Sequence, residues 1–197
     1  MKEEHFHILK FSELRIGHTV YVYFVLDSTQ NKAKELSKNI NNNGIVVVAQ
    51  RQLQGRGRRD ASWISDFGGL YFSVIYHATK PIQVIGDFTK QLAYVTLQAI
   101  NNIVKNKFVI NLEVRGVNDL YLNNKKVAGI IVETESYGLK DERAPLYIIG
   151  IGVNVNQASF PQGLTKMPTS LFLETNYRLA RLQILKQICK ELSNSLQ

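Results

Sequence analysis

The strongest constraint on the fold is a succession of short runs rich in β-branched and aromatic residues, each closed by polar or glycine-containing punctuation. VYVYFVL (20–26), IVVVA (45–49), GLYFSVIY (69–76), LEV (112–114), DLYL (119–122), VAGIIVETE (127–135) and LYIIGIGVNVN (146–156) read as strands, because such residues suit a pleated, buried surface. Asn123, Asn124 and two lysines have the composition of a hairpin turn between DLYL and VAGIIVETE. Helical spacing is rarer. Asp27, Ser28 and Thr29 supply cap residues ahead of a stripe through Ala33, Leu36 and Ile40, which three asparagines and Gly44 stop. Phe88, Leu92, Val95, Ala99 and Ile103 form the longest stripe. A last helix is expected over 177–192, with Leu179, Leu182, Leu185 and Leu192 inward and frayed residues after it. Strands outnumber helices, so the pattern predicts an α+β fold: one mixed, mainly antiparallel sheet with helices packed on one face, in a single domain over 1–197.

Charge and cysteine usage narrow the function classes. Against 24 Lys and Arg stand 16 Asp and Glu, a formal net charge of +8, which favours an anionic partner: nucleic acid, nucleotide or acidic protein. Cys189 is the single cysteine, so an intrachain disulfide is excluded and a reducing, cytoplasmic setting fits. The apolar runs are far shorter than the ~20 residues that cross a bilayer, and MKEEHFHILK carries charges where a signal peptide is apolar. Neither membrane insertion nor secretion is expected. Apart from the loose His5/His7 pair, the four histidines, His5, His7, His18 and His77, lack metal-ligand spacing near carboxylates, so no metal site made of protein ligands alone is expected. Ser28 and Ser73 lack a nucleophile-elbow pattern.

The densest chemistry lies in GRGRRDASW (55–63). Alone, such a string is a solvated basic turn or a nucleic-acid patch; glycines that admit an anion to the backbone and guanidinium forks that grip phosphate suit a compact phosphate equally well. Trp63 is open between core packing and cover over a ring. NDLYLNNKKVAGIIVE (118–133) is an ordinary basic-tipped hairpin or, with Ala128 and Gly129 beside Lys126, a strand leaving room for a ligand under an ammonium. GIGVNVN (150–156) lacks a third glycine and lies within a strand-like run, so it is not a dinucleotide fingerprint.

Taken in order, DST (27–29), QLQGRGRRDASW (52–63), GGLYFSV (68–74), NDLYLNNKKVAGIIVE and IGIGVN (149–154) resemble the catalytic domain of biotin protein ligase, over about residues 21–173. The resemblance implies a class II biotin/lipoyl ligase fold and two substrates, biotin and ATP with Mg²⁺. It also implies two steps: formation of biotinyl-5′-AMP, then biotin transfer to a lysine of a biotin carboxyl carrier domain. By motif, biotin would meet Ser28, Thr29, Gln30, Gln52, Arg56, Gly57, Arg58, Lys126, Gly129, Ile131, Gly150 and Gly152. The adenylate would meet Arg58, Arg59, Trp63, Asn118, Asp119 and Asn154, with Mg²⁺ near Asn118 and Asp119. Lys126, Arg56, Arg58 and Arg115 are the expected catalytic residues. The arginine loop, 54–62, should order only over bound ligand, biotin entering before ATP.

Three departures from the family pattern stand out. RGVND (115–119) replaces KWPND, which puts Arg115 for lysine and Gly116 for tryptophan beside the phosphate motif; Asp60 follows the arginines where glycine is usual; Gln30 replaces asparagine. The family's C-terminal SH3-like barrel and N-terminal DNA-binding unit have no counterpart in these residues, so neither DNA nor a membrane is an expected partner, while side-by-side pairing of two copies is compatible with the family. Four readings follow: an active ligase, a biotin- or adenylate-binding relative with impaired catalysis, a lipoate ligase-like acyl transferase, and a basic nucleic-acid binder.

Overall fold

A computed structural model of the chain describes residues 6–59, 61–135, 145–164 and 166–196. His5, Asp60 and most of the charged segment SYGLKDERAP lie outside the described residues. Eight strands form one sheet in the order β1-β2-β3-β4-β8-β7-β6-β5. They are β1 (Phe6–Lys10), β2 (Thr19–Leu26), β3 (Val46–Gln52), β4 (Leu70–His77), β5 (Leu112–Arg115), β6 (Asp119–Leu122), β7 (Lys125–Glu135) and β8 (Leu146–Val153). The one parallel pairing is β2 with β3, and it is bridged by helix α1 (Thr29–Leu36), the crossover that parallel neighbours require. All other pairings are antiparallel, as in the mixed sheet expected.

The long helices α2 (Ile85–Val104) and α4 (Arg181–Ser195) cover one face, where Leu92, Ala99 and Ile100 of α2 meet Ile184, Ile188 and Leu192 of α4 over Val46, Val48, Phe72 and Ile149. Side chains alternate along a strand, so Val47, Ala49, Ile75 and Ile148 face the other way. There they pack against Ala33 and Leu36 of α1. The expectation of helices on one face therefore holds for α2 and α4, and the short α1 is the correction: its crossover lays it on the opposite face. That face carries the cavity described below.

Local differences have local causes. Helix α1 ends at Leu36, short of Ile40, because Asn42 donates through Nδ2 to the Leu36 carbonyl at 2.7 Å and turns the chain; Ile40 is exposed. The last helix starts at Arg181, leaves Leu182 exposed, and runs on so that Leu196 is buried where fraying was expected. The strand β3 runs on through Gln52, three residues past the IVVVA run. Strand β1 and the five-residue helix α3 (Leu171–Thr175) have no counterpart in the sequence reading. Asn123 and Asn124, at φ 50° and 67°, make the two-residue turn between β6 and β7, a left-handed pair that asparagine tolerates.

Candidate active site

A cavity of about 610 Å³ opens on the α1 face of the sheet. Its floor is a trough. Gly129 on β7 and Gly150 and Gly152 on β8 lack the side chains that would fill it: a Cβ on Gly152 would meet Trp63 Nε1 at 2.7 Å, and one on Gly150 would meet Gln30 Oε1 and Ile131 Cγ1 at 2.9 Å. Trp63, left open by sequence, forms a wall over this trough rather than part of the main core.

One end is built by the N-terminus of α1. Ser28 caps the helix, its Oγ accepting from Gln30 N at 3.2 Å. Thr29 donates to Gln52 Oε1 from both N (2.7 Å) and Oγ1 (3.0 Å), while Ser73 donates to Thr29 Oγ1 at 2.8 Å. Gln52 Nε2 passes the chain to Ser65 Oγ at 2.8 Å, which donates to the Trp63 carbonyl. The network thus ties the floor to the root of the arginine loop. Gln30 donates through Nε2 to the Ile148 carbonyl, but its Oε1 is buried without a hydrogen-bond partner, and so is Trp63 Nε1. Buried polar atoms are nearly always satisfied, so one orphan acceptor and one orphan donor beside the trough mark where a polar ligand belongs.

The other end is cationic. Residues 55–59 and 61–63 run back alongside each other, with Trp63 N donating to the Gly55 carbonyl and Gly57 N to that of Ala61. Arg58 donates to Asn118 Oδ1 at 2.8 Å, and Arg56 to Asn31 Oδ1 at 2.7 Å with Glu133 beyond it at 3.7 Å. Lys126 Nζ lies 5.0 Å over the Trp63 ring and 2.7 Å from Asp119 Oδ1, an ion pair without the alignment of a hydrogen bond. Burial pushes the Lys126 ammonium below its ordinary pKa, against the pull of Asp119. Asn154 is locked in the wall, donating to the Thr169 carbonyl and accepting from Gln157. Among the described residues, five cationic side chains and one carboxylate line the cavity.

Every residue expected at the site lines this cavity except Arg115. Its guanidinium turns along the edge hairpin, bonding Glu113 and Asn124 and stacking 4.5 Å over Tyr121. The Arg115 departure therefore lies at the sheet edge, whereas Val117 borders a second pocket with Arg56, Gly57 and Arg58. Sequence reasoning missed Lys166, Phe160, Tyr71, Ser65 and Ser73. Only the two serines had a local signal, a small polar residue within or beside a quoted motif. No group of three potential metal ligands occurs among the described residues.

A family model described as the biotin/lipoate A/B protein ligase family matches residues 21–156. The bifunctional ligase/repressor BirA of Bacillus subtilis is 34% identical over 188 residues, taking in 90% of this chain and 55% of that protein. The protein of the same name from Escherichia coli K12 is 28% identical, over 92% of this chain and 54% of its own. Among solved structures, the biotin protein ligase from Aquifex aeolicus in complex with biotin and ATP superposes with a TM-score of 0.76 at 31% identity, covering 89% of this chain and 68% of that one. The chain spans about half the length of the curated relatives it matches.

Proposed function

The chain belongs to the biotin/lipoate A/B protein ligase family, and from that footing we propose that it is an ATP-dependent biotin protein ligase acting on a lysine of a biotin carboxyl carrier domain. The carrying observation is the polarity of one cavity: a glycine trough with an unsatisfied amide oxygen, Gln30 Oε1, at one end and Lys126 with the arginine loop at the other. Biotin matches that order. Its ureido N–H donates to Gln30 Oε1, its ring system lies in the trough between Gly150 and the Trp63 wall, and its carboxylate reaches Lys126.

In the first step a biotin carboxylate oxygen attacks the α-phosphorus of ATP; the bond to pyrophosphate breaks and pyrophosphate leaves with the electron pair. Lys126 and Arg58 hold two anions together against their repulsion, which is proximity and electrostatic stabilisation rather than covalent catalysis. In the second, the carrier's neutral ε-amine attacks the acyl carbon of biotinyl-5′-AMP, AMP leaves, and the amine sheds a proton. Asn118 and Asp119 do not fit a protein-held magnesium. Asn118 is engaged by Arg58 and the Ile130 carbonyl, and Asp119 by two lysines. Magnesium then comes as the counterion of ATP.

The test is mass-spectrometric detection of biotinyl-5′-AMP after mixing stoichiometric protein with biotin, ATP and Mg²⁺. Its appearance supports the ligase; bound biotin without adenylate favours a binding relative. Lipoate displacing biotin would favour the acyl-transfer reading instead.

A further inference from the structure

Asp119 holds two ammonium groups at once. Lys126 lies at its Oδ1 and Lys166 hydrogen-bonds its Oδ2, with side-chain exposures of 7% for Asp119, 18% for Lys126 and 56% for Lys166. The second lysine arrives by a specific device. Lys126 N donates to the Met167 carbonyl at 2.9 Å and Thr169 N to the Lys126 carbonyl at 2.8 Å, a parallel bridge that lays residues 166–169 along β7. Lys166 is thereby set at the cavity mouth, near enough to feel the charge of Arg58, while Lys126 sits deep. One ammonium neutralises a buried carboxylate; the second leaves surplus positive charge facing Lys126 and Arg58, an arrangement that an incoming anion relieves.

We propose that Lys166, held in place by Asp119, contacts the departing pyrophosphate in the adenylation step. The direction follows from in-line displacement. Biotin's carboxylate approaches from the floor by Lys126, so the leaving oxygen faces away from it, toward the mouth where Lys166 stands. As the bond to the α-phosphorus breaks, the electron pair and its charge pass to pyrophosphate, and the ammonium of Lys166 stabilises that charge without giving up a proton. This inference rests on the ligase reading above.

The test uses the full chain with Lys166→Met, which keeps most of the aliphatic stem, and Lys166→Arg. Biotin affinity is measured by calorimetry, and pyrophosphate release is followed against ATP concentration. Lys166→Met should lower kcat/KM for ATP about tenfold or more, the size of one charge-assisted contact, with biotin affinity held within about twofold; Lys166→Arg should recover most of the loss. An unchanged kcat/KM for ATP, equal losses in both variants, or a parallel fall in biotin affinity would overturn the assignment. Wild-type protein that makes no biotinyl-5′-AMP would sink the ligase reading itself and this inference with it, whereas active wild type with an unaffected Lys166→Met sinks the inference alone.

Discussion

Gly152 is a position where one methyl group decides whether the Trp63 wall can pack against β8. Its φ is not in the left-handed region, so alanine suits the backbone, yet the added Cβ would press on Trp63 Nε1. Overpacking of this kind costs about 1–3 kcal/mol. Gly152→Ala should therefore fold with a circular dichroism spectrum like the wild type's and bind biotin roughly 10- to 100-fold more weakly in calorimetry. Arg115→Lys should leave single-turnover adenylation unchanged, because Arg115 is engaged by Glu113, Asn124 and Tyr121 at the sheet edge. A large gain would mean that this arginine impairs the chemistry. The arginines, Lys126 and the trough glycines were legible because they fall in contiguous motifs. Lys166 was not, since it reaches Asp119 through a bridge between segments about forty residues apart, and Arg115 misled because neighbourhood in a motif does not say where a side chain turns.

At the scale of elements, the loop 54–62 and helix α1 depend on each other through Arg56–Asn31 and through Thr29–Gln52–Ser65. The loop carries its own like charges, and an anion offsets their repulsion. Trypsin should cut after Arg56, Arg58 or Arg59 in the free protein and markedly more slowly with biotinyl-5′-AMP bound; equal rates would remove the idea that the ligand orders the loop. Ser28→Ala removes the cap of α1 and should cost about 1 kcal/mol in urea unfolding. Elements with strong periodicity or turn chemistry were readable: α2 from its stripe, and the β6–β7 turn from Asn123 and Asn124. Strand β1 is largely exposed, so no buried face marks it, and α3 is too short for any period and rests on the Ser170 cap, with Leu173 N donating to Ser170 Oγ at 3.0 Å.

For the molecule as a whole, the sheet separates stability from function: α2 and α4 seal one face while the cavity occupies the other. Strand alternation announced a sheet but could not assign faces, which is why α1 was expected among the other helices. Cys189 is buried on the sealed side, and burial pushes its thiol from 9.0 up to about 12. Between those values the unfolded chain sheds a proton that the folded one keeps, so this group lowers stability as pH rises, by at most about 1.4 kcal/mol per unit. Urea midpoints should fall from pH 9 to 11 more steeply in the wild type than in Cys189→Ala. No helix among the described residues is long and apolar enough to cross a membrane. The chain has one tryptophan, and it stands in the cavity with the Lys126 ammonium over its ring. A phosphate that draws the ammonium off that ring changes the electric field at the only indole, so the molecule carries its own optical gauge: the colour and brightness of its intrinsic emission register the charge state of one site, undiluted by any other chromophore of that kind.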